Sequence, residues 1–242
     1  MLNELKQKSL SGVKWTSVAA SISAVIQVAQ LVVLAHFLSL IEYGVWGILS
    51  VLIGFSYIFV DMGLSNAIIH FQKIEPEEMS SLYWLNVIAG TTIFLVLYLL
   101  SPLLAAFYKT EVLLSLIPLV SLTFIIIPFG QQYQILLQKE LKFRTISLIE
   151  VISKSFGFIL MIVLLLTGFK LYSVVYSMVA ATALSSVLFF GTGKREHRPR
   201  FILQIGRVKK FLRFGVFQMM DSTTNYFNTQ IDTLLIGRLL GL

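Results

Sequence analysis

Two side chains of opposite charge lie inside one apolar run, at a spacing that places them on one face of a helix. Glu150 and Lys154 are four residues apart in the run that follows Arg144, and side chains at i and i+4 are neighbours on a helix surface. If this run crosses a bilayer, each charge costs at least about 2.5–3.5 kcal/mol on insertion scales. Two explanations relieve that cost: the pair lines a hydrated cavity in which Lys154 binds an anion, or it forms an internal salt bridge.

A second set of polar residues follows one face of the last apolar run. Its spacings of four, three and four keep the side chains on one helical stripe, and its members are Asp221, Asn225, Asn228 and Asp232. Such a stripe is not tolerated against lipid, so we expect it to face either a transport lumen or other helices, with which its groups would hydrogen-bond.

Three further residues are candidates for a substrate or ion pathway. Asp61 lies near the end of the second apolar run, where a solvated or helix-capping carboxylate is the alternative to a functional one. Gln27 and Gln30 lie in the first run, on a weakly polar face that also suits helix packing. These residues suggest a route for polar groups through a membrane.

The composition predicts an integral membrane protein. Of 242 residues, 57% are hydrophobic and 13% charged, and the mean hydropathy is +0.84, whereas soluble domains are about 45–50% apolar. The chain has no Cys and only three His, which argues against disulfides, metal ligation and cofactor chemistry. The net charge of +7 comes from basic segments between apolar runs, so it predicts membrane topology and not nucleic-acid binding.

Six apolar runs are long enough to cross a bilayer, since about 20 residues suffice. A seventh run starts after a basic segment. The chain therefore predicts an all-α polytopic fold, with spans at about 15–38, 44–69, 82–107, 112–137, 145–167 and 172–190, followed by a run at 214–242.

The basic residues are unevenly divided between the two sides of these spans. One side carries 15 Lys and Arg, whereas the other carries Lys109, Lys170 and Arg238. By the positive-inside rule, the N-terminus and the segment 191–213 face the cytoplasm. Aromatic residues near the run ends are predicted to be interfacial anchors: Trp15, Tyr43, Trp46, Tyr83 and Trp84.

The last run resembles the first in sequence, which indicates an internal parallel repeat, an architecture of some transporters. We therefore expect a six-helix transmembrane bundle at 1–190, a basic cytoplasmic linker at 191–213, and the first helix of a second bundle at 214–242. On this interpretation, the chain is a truncated two-bundle transporter.

Four segments together resemble a known family. They read EYGVWGI at 42–48, DMGLSNAII at 61–69, LQKELKFR at 137–144 and QIDTLLIGRLLG at 230–241. In this order they resemble bacterial polysaccharide exporters, the Wzx-like O-antigen (lipopolysaccharide) and teichuronic-acid flippases of the multidrug/oligosaccharidyl-lipid/polysaccharide (MOP) superfamily. The resemblance covers the whole chain but only about half of such a protein, and it assigns no individual site residue.

The resemblance implies export of undecaprenyl-diphosphate-linked oligosaccharide from the inner to the outer leaflet of the bacterial cytoplasmic membrane. It implies alternating access between two bundles, H⁺ or Na⁺ as the coupling ion, and other polysaccharide-assembly proteins as partners. The nearest alternative is a multidrug or cation antiporter of the same superfamily. A membrane-embedded glycosyltransferase or a receptor is more distant, since the sequence carries no enzymatic motif.

Overall fold

The fold was analysed on a computed structural model that describes the backbone of residues 2–71, 73–193 and 199–239. Side chains are described within residues 12–71, 73–193, 199–226 and 228–229. Every regular element in these ranges is an α-helix: α1 Leu2–Phe37, α2 Leu40–Asp61, α3 Leu64–His70, α4 Pro76–Phe107, α5 Leu113–Lys139, α6 Phe143–Leu166, α7 Leu171–Gly193 and α8 Ile205–Leu239.

Six of these helices are long and apolar enough to cross a membrane, which confirms the predicted all-α polytopic fold. Their most apolar stretches have mean hydropathies of 1.8–2.3. In α1, only 11% of that stretch is buried inside the protein, so its apolar surface is available to lipid. The six segments are Gly12–Phe37, Leu40–Asp61, Pro76–Tyr108, Leu113–Lys139, Phe143–Leu166 and Leu171–Gly193.

The second predicted span, 44–69, is two helices and not one. Helix α2 ends at Asp61, and Met62 and Gly63 adopt left-handed conformations with φ of 48° and 64° before α3 begins. Two successive left-handed residues cannot continue a right-handed helix. The sequence already indicated an interruption here, with Asp61, Gly63 and Asn66 near the end of the run, and the break falls at Met62 and Gly63.

Helix α4 begins at Pro76, six residues before the predicted start at 82. Glu75 and Glu78 form a capping box, in which the Glu75 backbone N–H donates to the Glu78 carboxylate at 3.0 Å. A proline at the first helical position favours this start, because its missing N–H would have no helical partner there.

Helix α5 is the centre of the bundle. It packs against α4 on one side and α7 on the other, while α6 packs against α1 and α7. Half of the most apolar stretch of α5 is buried. Its fully buried side chains, among them Leu113, Leu116 and Phe124, belong to the main apolar core.

Parts of the segment predicted to be the basic linker are helical. Helix α7 continues to Gly193 and α8 already begins at Ile205, so within the predicted 191–213 linker the described non-helical part is 199–204. The basic residues Lys194, Arg195 and Arg198 lie outside the described residues.

This non-helical part is bound to the start of α4. The indole N–H of Trp84 donates to the Arg200 carbonyl at 2.8 Å, and its ring stacks on Phe201 at 4.5 Å. Ion pairs then join α8 to the same end of α4: Arg207 with Glu75 at 3.0 Å and Lys210 with Glu78 at 2.8 Å. We call this side of the bundle, which also carries Lys139, Lys142 and Arg144, the basic end.

Helix α8 crosses the break between α2 and α3 at very short range. A Cβ added to Gly215 would lie 2.2 Å from the Met62 carbonyl oxygen, and one added to Gly63 would lie 2.6 Å from the Gly215 carbonyl oxygen. Farther along α8, the Tyr226 hydroxyl donates to the Val51 carbonyl of α2 at 2.7 Å. The absence of side chains at both glycines permits this crossing.

Candidate functional site

Three cavities lie between the helices and follow one another from the basic end towards the opposite end. The first, of about 360 Å³, lies at the end of α2 and includes Asp61 and Gln138. The second, of about 230 Å³, lies in the middle and includes Glu150 and Lys154. The third, of about 370 Å³, lies towards the opposite end and includes Trp46.

Shared residues join the three cavities. The first and second have Tyr57, Gln131 and Gln134 in common, and the second and third share Lys154, Met178 and Ala181. An isolated cavity between two helices could be explained as a packing defect. The three share lining residues and each carries polar side chains within a largely apolar wall, and we refer to them together as the route.

Glutamines of α5 line much of this route. Gln131, Gln134 and Gln138 are spaced by three and four residues, so they lie on one face of the helix, and all three line the first cavity. The sequence interpretation did not include them, although the same three-and-four spacing was used for the last run. That spacing was the signal that could have found them.

The predicted ion pair between Glu150 and Lys154 is not formed among the described residues. Instead, the Gln134 side-chain amide of α5 donates to Glu150 Oε1 at 3.0 Å. The Lys154 ammonium donates to Ser23 Oγ of α1 at 3.0 Å. Each charge therefore binds a neutral group on a different neighbouring helix, and both side chains line the second cavity.

A buried hydroxyl that borders the second cavity makes no hydrogen bond among the described residues. Ser153 is 4% exposed, and its Oγ makes no hydrogen bond within the part of the chain that the structure describes. Buried polar groups in proteins are nearly always hydrogen-bonded. Ser153 lies between Glu150 and Lys154 in sequence and is among the residues that line the same cavity.

Asp61 lies in the first cavity, at the break between α2 and α3. The Gln131 amide donates to Asp61 Oδ1 at 2.5 Å, and the Ser65 hydroxyl donates to the same oxygen. Asn86 in turn donates to Gln131 Oε1 at 3.1 Å, which fixes the Gln131 amide as a donor. Asp61 therefore accepts from a side chain of α3 and from one of α5, and it lines the first cavity.

Gln27 and Gln30 line the third cavity together with Ser23 of the same helix. Trp46 lines it as well and packs against the main apolar core. Its place in the cavity goes beyond the predicted role of interfacial anchor. Ser177 of α7, which is 5% exposed, completes the polar part of the wall.

The polar stripe of α8 lies apart from these cavities. Asp221, Asn225 and Asn228 are exposed, whereas Gln218, Met219 and Ser222 of α8 line the first cavity. The side chain of Asp232 lies outside the described residues. The three described members of the stripe therefore lie on the exposed face of α8, and the contribution of the stripe to a lumen stays a prediction.

The assembled wall presents hydroxyl groups, amides, two carboxylates and one ammonium group in a bundle whose outer surface is apolar. Such a route can replace the hydration of a polar head group inside a membrane. Lys154 is common to two cavities, so an anion bound there would contact both.

Comparisons with known proteins identify similar chains. The polysaccharide biosynthesis protein family matches residues 33–242. The teichuronic acid biosynthesis protein TuaB of Bacillus subtilis (strain 168) is 34% identical over 239 residues, which are 98% of this chain and 49% of TuaB. The lipopolysaccharide biosynthesis protein WzxC of Escherichia coli (strain K12) is 33% identical over 237 residues, 98% of this chain and 48% of WzxC.

A more distant relative has transport in its name. The succinoglycan biosynthesis transport protein ExoT of Rhizobium meliloti (strain 1021) is 26% identical over 211 residues, 87% of this chain and 42% of ExoT. No solved structure matches the chain. The chain thus spans about half the length of the curated relatives it matches.

Proposed function

The chain belongs to the polysaccharide biosynthesis protein family, and from that premise we propose that it is part of an exporter that moves lipid-linked oligosaccharide across the bacterial cytoplasmic membrane. The substrate is an undecaprenyl-diphosphate-linked repeat unit, and it moves from the inner to the outer leaflet by alternating access. The chain contributes transport and not catalysis.

One observation carries the proposal: a polar route of three joined cavities inside an apolar bundle. A lipid-linked oligosaccharide has a polar, anionic head group and an apolar tail, so the head group needs a hydrated path while the tail stays in lipid. The route accommodates the head group, and the largely exposed apolar surface of helices such as α1 accommodates the tail.

Lys154 is the residue that we assign to the diphosphate. It lines the second and third cavities, and its ammonium group donates to a neutral partner, Ser23. Lysine binds phosphate as a point charge. Ser153, which precedes Lys154 in sequence, makes no hydrogen bond through its hydroxyl among the described residues, and we include it as a second proposed phosphate-binding group.

An ion gradient is the proposed energy source, with H⁺ or Na⁺ as the coupling ion. Asp61 and Glu150 are the carboxylates of the route, and intramembrane carboxylates commonly serve as proton or cation sites in transporters. Asp221 and Asp232 of α8 are further candidates if a second bundle faces that helix.

Deletion of the gene for this chain in its host should stop surface-polysaccharide export. Lipid-linked repeat units should then accumulate in the inner leaflet, because synthesis continues while transfer fails. Extraction of the lipid-linked fraction and staining of surface polysaccharide measure both effects. Normal polysaccharide with altered drug tolerance would instead identify a drug exporter, and a changed sugar structure would identify a glycosyltransferase.

The N-terminus and the basic end are proposed to face the cytoplasm, from the uneven distribution of Lys and Arg. Since the chain has no Cys, single cysteines can report this orientation. A cysteine at Lys109 or Lys170 should react with an impermeant maleimide in intact cells, whereas one at Lys142 or Lys194 should react only after permeabilisation. External labelling at Lys194 would refute the orientation.

A further inference from the structure

The third cavity combines an aromatic ring with amide groups, a combination suited to sugars. Trp46 lies six residues after the start of α2 at Leu40, about 9 Å along the helix, and its indole lines the cavity. No hydrogen bond from its N–H occurs within the described part of the chain. Half-buried tryptophans usually give this N–H a partner, so the group is available to a ligand.

Two amides on α1 face the same cavity. Gln27 and Gln30 follow Ser23 at spacings of four and three, so the three share a helix face, and all line the cavity. Neither amide makes a side-chain hydrogen bond among the described residues. An amide both donates and accepts hydrogen bonds, as does each sugar hydroxyl group.

We propose that the third cavity is a sugar-binding subsite, in which a sugar ring stacks on Trp46 and its hydroxyl groups bind Gln27 and Gln30. The C–H bonds on one face of a pyranose carry a small positive charge, and the face of an indole is negative. The cavity volume of about 370 Å³ lies within the range of about 300–1,000 Å³ for small-molecule sites.

The position of Lys154 sets the order of substrate groups along the route. Lys154 lines the third cavity as well as the second, so a diphosphate bound to it would leave its first attached sugar beside Trp46. The proposal of this subsite rests on the proposed function. Its residues would bind the saccharide and not the lipid.

Binding to the 242-residue chain in nanodiscs tests the subsite. The probes are undecaprenyl diphosphate and the same lipid carrying one glucose, galactose or N-acetylglucosamine. At least one sugar-bearing lipid should bind about tenfold more tightly than the sugar-free lipid, as expected for one stacking contact with hydrogen bonds. Trp46→Ala should remove this ratio and leave sugar-free binding unchanged, while Trp46→Phe should keep part of it.

Two controls separate the subsite from the diphosphate site. Trp15→Ala should keep the ratio, since Trp15 lies at the basic end. Its ring centroid is 5.0 Å from Cζ of Arg144. Lys154→Met should weaken binding of the sugar-free and the sugar-bearing lipids by the same factor, and so keep the ratio. Normal binding by Lys154→Met would overturn the diphosphate assignment alone, whereas equal binding of all four lipids by the unmodified chain would overturn the subsite alone.

A fluorescence measurement covers the case in which Trp46→Ala does not fold. The chain has three tryptophans, so Trp15→Phe combined with Trp84→Phe leaves Trp46 as the sole indole. Its emission should change on addition of the sugar-bearing lipid that binds most tightly and not on addition of undecaprenyl diphosphate. An unchanged emission with both lipids would contradict stacking on Trp46.

Discussion

Lys154→Met should weaken binding of undecaprenyl diphosphate at least about 30-fold. Removal of one partner of a charge-assisted contact costs about 2–5 kcal/mol in binding, and about 2 kcal/mol corresponds to this factor. Methionine retains the length and apolar stem of the side chain and removes only the charge. Radioligand binding to the chain in nanodiscs measures the effect, and Lys73→Met, an exposed lysine outside the three cavities, is the matched control.

The same variant distinguishes a ligand site from a structural pair. Because Lys154 binds Ser23 and Glu150 binds Gln134, Lys154→Met should leave protein abundance nearly unchanged. The double variant Glu150→Gln with Lys154→Met should then bind as weakly as the single one. The salt-bridge alternative predicts a different result. Lys154→Met would then lower protein abundance, and the double variant would restore both abundance and binding. That result would refute the anion site.

Gly215→Ala should lower the unfolding temperature of the chain, whereas Gly206→Ala should raise it or leave it unchanged. At Gly215, the new Cβ would lie 2.2 Å from the Met62 carbonyl oxygen, and both backbones would have to separate. Overpacking of this kind costs about 1–3 kcal/mol, and each kcal/mol shifts the midpoint by about 2–4 °C in a chain of this size. Thermal unfolding in detergent measures the shift.

Gly206 is the matched control because it lies on the same helix with no atom within 4 Å of an added Cβ. Alanine there gains up to about 1 kcal/mol of helix propensity. The Gly215 variant should also alter the first cavity, since Gln218 and Ser222 lie one and two turns farther along α8. Shifts of the same sign and size in both variants would contradict the close crossing of α8 over the helix break.

The six spans could be predicted from the sequence, because an apolar run of about 20 residues has few stable alternatives to a membrane helix. Asp61, Gly63 and Asn66 also marked an interruption near the end of the second span, but not the backbone geometry of the break. Met62 is an ordinary helix-forming residue, and its left-handed conformation is part of a local arrangement in which Asp61 accepts a hydrogen bond from Ser65 of α3 and α8 crosses the break at Gly215.

The candidate site was only partly predictable. The charge of Glu150, Lys154 and Asp61 within apolar runs marked them as unusual, since each costs free energy in a membrane. The glutamines of α5 are uncharged and carry a smaller cost, so they did not stand out. Trp46 was interpreted from its position near a helix end, and only its neighbours on α1 and α6 place it in a cavity.

Sequence by itself determined which segments enter the membrane, which end of the bundle is basic and which helix face each polar residue occupies, because these depend on apolar length, charge and a period of 3.6 residues. The tertiary structure decided which groups meet. Spacing predicted that Lys154 pairs with Glu150 four residues away, but the packing of α1 on α6 brings Ser23 to it from 131 positions away. A helical period fixes the direction of a side chain, and only the packing of helices supplies its partner.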